Sequence, residues 1–170
     1  QRQMCIRDRI GDETVWNQAF EMKQPVVDMC ADYMAIADLE GTTVYIYDKN
    51  GQQGEIQTEY PILDIEVAGQ GVVAAITKSD IANQIEVYDK DGTNIAKGQT
   101  VLSGDGCPVA ISLSEDGTKL AVSYVYLENG AAKTRVVFYN YSEVGKNEAG
   151  RIVGGFDYES SIISLSLIHI

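Results

Sequence analysis

Basic charge is scarce in this chain: 13 Lys and Arg stand against 25 Asp and Glu over 170 residues, a formal charge of −12. Phosphate binding needs a basic face, so the balance argues against nucleic acid as a partner. Histidine is nearly missing, its one copy being His169, and that lowers the odds of imidazole-based catalysis. Cys5, Cys30 and Cys107 show neither metal-ligand spacing nor an even disulfide framework, and are read as buried free thiols. No apolar run approaches the ~18–20 residues of a membrane-spanning helix, and no signal peptide is evident. A 3.6-residue apolar period is also lacking, so helix is expected to be close to absent. Nucleophile elbow, phosphate loop, dinucleotide fingerprint and zinc motif are all missing. No catalytic, cofactor-binding or metal residue is therefore assigned, and no cofactor is expected.

What is present is a strand–turn–strand unit written three times. Tyr45-Ile46-Tyr47-Asp48-Lys49-Asn50-Gly51 returns as Glu86-Val87-Tyr88-Asp89-Lys90-Asp91-Gly92, and more loosely as Val137-Phe138-Tyr139-Asn140. Ahead of each, a proline opens a short apolar strand at Pro25, Pro61 and Pro108. Strand-filled repeats of roughly 40 residues are the mark of β-propeller blades, each a four-stranded antiparallel meander. The expected fold is all-β, an open arc of about three blades at 25–59, 61–99 and 108–158. An outer strand at 12–20 precedes them, and 161–163 opens another. The turns Asp38-Leu39-Glu40-Gly41 and Asp48-Lys49-Asn50-Gly51 each end in the glycine that a hairpin needs at positive φ.

The ends do not share the repeat. Residues 1–9 lack alternation and turn chemistry, while 164–170 alternate like a strand. Met4-Cys5-Ile6-Arg7-Asp8-Arg9 and Ser166-Leu167-Ile168-His169-Ile170 resemble translated sequencing-adapter read-through. Both segments are expected to be non-native, with 1–9 making no ladder, which leaves 10–163 as a propeller fragment of a longer protein.

An ordered set of segments carries a family resemblance. It comprises Trp16-Asn17, Glu21-Met22, Pro25-Val26-Val27, Gly69-Gln70-Gly71-Val72-Val73-Ala74, Ser114-Glu115-Asp116-Gly117-Thr118-Lys119-Leu120, Val137-Phe138-Tyr139-Asn140 and Arg151-Ile152-Val153-Gly154-Gly155-Phe156-Asp157-Tyr158. From Gly11 to Ile163 the chain resembles an uncharacterised, membrane-anchored β-propeller family of Gram-positive anaerobes. The resemblance implies a short cytoplasmic tail and one membrane helix in a missing N-terminal part, with the propeller outside the membrane at the cell surface. It transfers no catalytic residue.

Three constellations remain for chemistry. Asp89-Lys90-Asp91-Gly92 opens like a calcium loop, but Thr100 stands where a bidentate carboxylate would be needed, so a hairpin is the better reading. Asp28 and Asp64 are read as matching positions on the inner strands of adjacent blades, and alignment by apolar face gives Ala110 in the third. Such carboxylates could do acid–base work, yet accepting backbone hydrogen bonds between blades is the favoured role. Tyr124, Tyr126, Tyr139 and Tyr141 are read as blade packing before a recognition patch. The expected function is an extracytoplasmic binding or interaction module for an unknown protein or cell-surface ligand, without membrane contact by the fragment itself. The rivals are a hydrolase-like channel enzyme with groups on missing blades and a sensor ectodomain.

Overall fold

The computed structural model describes residues 2–10, 13–100 and 106–159, with side chains from Gln18 onward. The segments 161–163 and 164–170 lie outside the described residues. Four antiparallel sheets follow in chain order. Strands β1 (Arg2–Ile10) and β2 (Glu13–Met22) make a two-stranded sheet. Blade 1 is β3 (Pro25–Cys30), β4 (Tyr33–Asp38), β5 (Thr43–Asp48) and β6 (Gly51–Gln57). Blade 2 is β7 (Ile62–Val67), β8 (Val73–Lys78), β9 (Asn83–Tyr88) and β10 (Asn94–Thr100). Blade 3 is β11 (Cys107–Leu113), β12 (Lys119–Glu128), β13 (Ala131–Asn140) and β14 (Ile152–Tyr158). Each is an up-and-down meander, and the only helical pieces among the described residues are 3-10 turns at Val144–Asn147 and Ala149–Arg151.

The sheets stack face to face, which explains the apolar runs in their central strands. A sheet covered on one side alternates apolar and polar residues; one covered on both sides does not. In β9 every residue is buried, and in β8 every residue but Lys78. Ala35, Ala37, Val44, Ile46 and Ile56 of blade 1 pack against Ile62, Ile65, Val67, Val73 and Ala75 of blade 2. The opposite face of blade 2, with Ala74, Ile76, Ile85 and Val87, meets Ile111, Leu113, Leu120 and Val122 of blade 3. Phe20 and Met22 of β2 cover Ile36 and Tyr47 on the outer face of blade 1. The repeat is therefore a partial propeller, in which each blade is one side of its neighbour's core.

Three expectations are corrected. Strand β1 pairs along its length with β2, from Arg2 opposite Met22 to Ile10 opposite Glu13. Main-chain pairing needs no side-chain alternation, so the irregular pattern of 1–9 does not prevent a ladder. The thiols are not buried either: Cys30 is half-exposed and Cys107 exposed, and both are free. They stand on inner strands β3 and β11, where Cys30 packs only partly buried against the core between blades 1 and 2. In the turn after β4, the left-handed residue is Glu40 (φ 65°) and not Gly41. Gly41 instead closes the turn by donating its N–H to Asp38 O at 2.9 Å, while Glu40 donates to Ile62 O of blade 2 at 2.8 Å.

The hairpin glycines are where the backbone needs them, with φ of 110° at Gly51 and 86° at Gly92. A Cβ on Gly92 would also come within 2.7 Å of the Glu55 carbonyl oxygen in blade 1. Gly154 is different, with nothing within 4 Å of an added Cβ. Replacing Gly92 by Ala is therefore expected to cost about 1 kcal/mol or more. Gly154→Ala should leave stability unchanged or slightly raised. Denaturant midpoints that fall equally in the two variants would contradict this assignment.

Candidate functional site

The inner strands gather carboxylates. Asp28 Oδ2 accepts the Val67 N–H of blade 2 at 2.7 Å, and Glu66 Oε2 accepts the Leu113 N–H of blade 3 at 2.6 Å. The two are the same device in successive blades. Asp28 pairs with Ala35, Glu66 with Ala74 and Ser112 with Ala121, alanines that lie in turn opposite Ile46, Val87 and Phe138. The counterpart of Asp28 is thus Glu66, not Asp64, and the third member is Ser112, not Ala110. The sequence match fails by two residues: β7 carries a bulge between Ile62 and Asp64, and the register position of Pro25, opposite Asp38, is held in blade 2 by Ile62, opposite Thr77, one residue after Pro61. Asp64 instead accepts the N–H of its neighbour Ile65 at 3.0 Å.

These groups sit close enough to disturb one another's protons. Burial pushes the Glu66 carboxyl up to about 7, against the pull of the Leu113 N–H and with a further push from Asp28 and Asp64. Burial likewise raises Asp64. The Cys30 thiol is raised by burial and by the carboxylates of Glu115, Asp28 and Glu66, which makes it a poor nucleophile.

The Asp89–Gly92 segment forms a hairpin turn. Gly92 N–H bonds Asp89 O at 2.9 Å, Asp89 Oδ1 accepts the Lys90 N–H at 2.7 Å, and Asp91 Oδ1 accepts the Thr93 N–H at 2.8 Å. Both carboxylates are engaged with their own turn.

The second place is a cleft of about 630 Å³ between the outer strands of blades 2 and 3. Ile85, Ala96 and Gly98 form one wall, and Tyr124, Tyr139 and Tyr141 the other. The Tyr139 and Tyr141 rings are parallel within 5° at 6.3 Å between centroids, and the Tyr124 and Tyr139 hydroxyls are 2.7 Å apart. Of the four tyrosines noted in the sequence, Tyr124 is buried packing, Tyr139 and Tyr141 line the cleft, and Tyr126 carries Arg135 over its ring.

The repeat shows why the cleft exists here. Ile56 of β6 lies opposite Val44, and Gly98 of β10 lies opposite Ile85. Thr58 and Thr100, two residues on, make the same hydroxyl bond to the Thr42 and Asn83 carbonyls. Gly98 is therefore the register counterpart of Ile56. In blade 1 that isoleucine is 0% exposed and fills the gap to blade 2. In blade 2 the side chain is missing, and an added Cβ would find only Ile85 O, at 3.9 Å. The gap between blades 1 and 2 is tight elsewhere too, with Gly54 pressed on the Lys90 carbonyl. Buried Glu86 there meets Lys97 at 3.0 Å, and Lys97 reaches Glu59 at 2.8 Å. Glu66, Glu86, Gly98 and Arg151 were not singled out from sequence; laying β6 over β10 through the Tyr-Asp repeat sets Ile56 against Lys97, and only the strand register, one residue on, reveals Gly98.

Stacked four-stranded meanders, joined by shared apolar cores and inner-strand carboxylates, define a propeller-type repeat protein. The chain belongs to a family of unknown function, DUF5711, whose model matches residues 8–165. No curated protein matches it. Among solved structures, Hsv2 of Kluyvelomyces marxianus is similar at 12% identity with a TM-score of 0.44. That likeness covers 64% of this chain, which spans 41% of the length of Hsv2.

Two measurements test the inner-strand device. Asp28→Ala should leave the Val67 N–H without its acceptor and cost about 1–3 kcal/mol, while Asp28→Asn, which keeps a carbonyl, should cost less. Equal losses would contradict the hydrogen-bond account. For Glu66 the folded carboxyl titrates above its ordinary value of 4.5, at about 7. Its contribution to stability is then fully present below the unfolded value and is lost as pH rises through about 7. Glu66→Gln, which cannot ionise, should lose less melting temperature than the parent between pH 5 and pH 8. Parallel pH profiles would contradict the shift.

Proposed function

We propose that this chain is part of a propeller-type binding module, and that its ligand seats in the cleft between blades 2 and 3. The observation that carries the reading is the replacement of a plugging isoleucine, Ile56, by Gly98 at the same register position of the next blade. Random loss of a core side chain would leave an apolar void. This gap is instead lined by tyrosines and arginines, and its volume of about 630 Å³ falls within the range of small-ligand pockets.

The rival reading, acid–base chemistry at the inner strands, has less support, because Asp28 and Glu66 each commit a carboxylate oxygen to a backbone N–H of the following blade. We place the module outside the membrane, tethered through a part of the protein beyond this chain, on the strength of the family resemblance alone. Among the described residues no helix is long and apolar enough to cross a membrane.

The test is a protein-observed NMR fragment screen of the parent chain and of Gly98→Ile. Gly98 has no positive φ and open space above it, so the variant should fold, with a melting temperature equal to or above the parent's. Fragments should perturb the Tyr139 and Tyr141 ring signals, and those perturbations should vanish in Gly98→Ile. Hits that map elsewhere, or that survive the substitution, would overturn the reading.

A further inference from the structure

The cleft has the wrong charge for this protein. Acidic residues outnumber basic ones 25 to 13, yet the lining holds Lys97, Arg135 and Arg151 and, among the described residues, no Asp or Glu. Two of these cations are already answered. The Lys97 ammonium turns to the blade 1 side, where it bonds Glu59 and Glu86, and Arg135 Nε lies 2.6 Å from Asp157 Oδ1. Arg151 is not. Its guanidinium donates to the Tyr141 carbonyl at 3.4 Å and lies 5.7 Å from the Tyr141 ring centre; it makes no ion pair among the described residues, and the carboxylate that acts on it from a distance, Glu143, is bonded to Lys146 at 2.6 Å. A non-glycine residue at φ 59°, it is held in a backbone conformation that side chains seldom adopt.

Beside it stands a second unanswered group. The Tyr141 hydroxyl makes no hydrogen bond among the described residues, although burial is the main cause holding its proton well above the ordinary tyrosine range. A half-buried phenol on a cleft wall, without a protein partner, is placed to exchange water for a ligand hydroxyl. One guanidinium and one phenol in the same cleft call for a ligand carrying both an anionic group and a hydroxyl. Tyr139 and Tyr141, with Ile85 and Ala96 across the cleft, add an apolar lining, suited to the C–H face of a pyranose ring. A plain hydroxy acid would leave that surface and most of the volume uncovered.

Resting on the cleft reading above, we propose that the site takes a carboxylated sugar of the uronic acid class. Its carboxylate would pair with Arg151, a ring hydroxyl would bond Tyr141, and the ring would lie over Gly98 where Ile56 stands in the preceding blade. Planar bidentate pairing is what distinguishes arginine from lysine in holding a carboxylate.

Binding of D-glucuronate, D-glucose and benzoate is measured by calorimetry or NMR titration on the parent, Arg151→Gln, Arg151→Lys and Gly98→Ile. Glucuronate should bind about tenfold or more tightly than glucose, as expected for one charge-assisted bidentate pair. Arg151→Gln should remove that margin, Arg151→Lys should keep part of it, and Gly98→Ile should abolish binding of both sugars. Equal affinity for glucose and glucuronate would overturn the role of Arg151. Benzoate binding as well as glucuronate would overturn the sugar assignment. If none of the three binds while screening fragments still perturb Tyr139 and Tyr141, the ligand class is wrong and the cleft reading stands. If fragments fail as well, both fall.

Discussion

Every blade of this protein is one half of its neighbour's core, and the rest of the structure follows from that constraint. A single four-stranded meander with apolar residues on both faces cannot bury itself. Full burial of a Val or Ile side chain is worth about 1.5–3 kcal/mol, and in blade 2 such residues point both ways, Val73 towards blade 1 and Ile76 towards blade 3. Stability is thus a property of interfaces between successive sheets rather than of any one sheet, as in other repeat architectures. The inner-strand carboxylates add direction to this non-directional burial. Asp28 and Glu66 each fasten one backbone N–H of the next blade, fixing how far along its neighbour each sheet sits.

The same constraint makes departures from the repeat informative. A position that must be apolar in every interface can change only where something else occupies the space. Ile56 and Gly98 hold that position in successive blades. Across the interface the replacements are of a matching kind: Tyr88 is 6% exposed against blade 1, while its counterpart Tyr139 lines an open cleft. Two neighbouring interfaces built from one pattern, one closed and one open, act as an internal control on what the second is for.

Much of the fold was legible because hairpin chemistry is local. The Tyr-Asp strand ends and the glycines at 51 and 92 announce their turns within a few residues. What escaped depended on register. A bulge in β7 is silent in the sequence, and together with the one-residue offset of Pro61 from the Pro25 position it moved the counterpart of Asp28 from Asp64 to Glu66. Glu40 took the left-handed turn position because a bond to Ile62 of another blade holds it there, a contact no local pattern contains. The cleft was hidden for a similar reason. The tyrosines that line it read as packing, and the decisive residue is a missing side chain at Gly98.

The central claim is that the interface between blades 2 and 3 is open where that between blades 1 and 2 is closed. Hydroxyl-radical footprinting of the native chain tests it most directly, since Tyr88 and Tyr139 hold equivalent positions on their blades. The account predicts that Tyr139 and Tyr141 are oxidised several times faster than Tyr88. Equal rates, or a faster reaction at Tyr88, would contradict it.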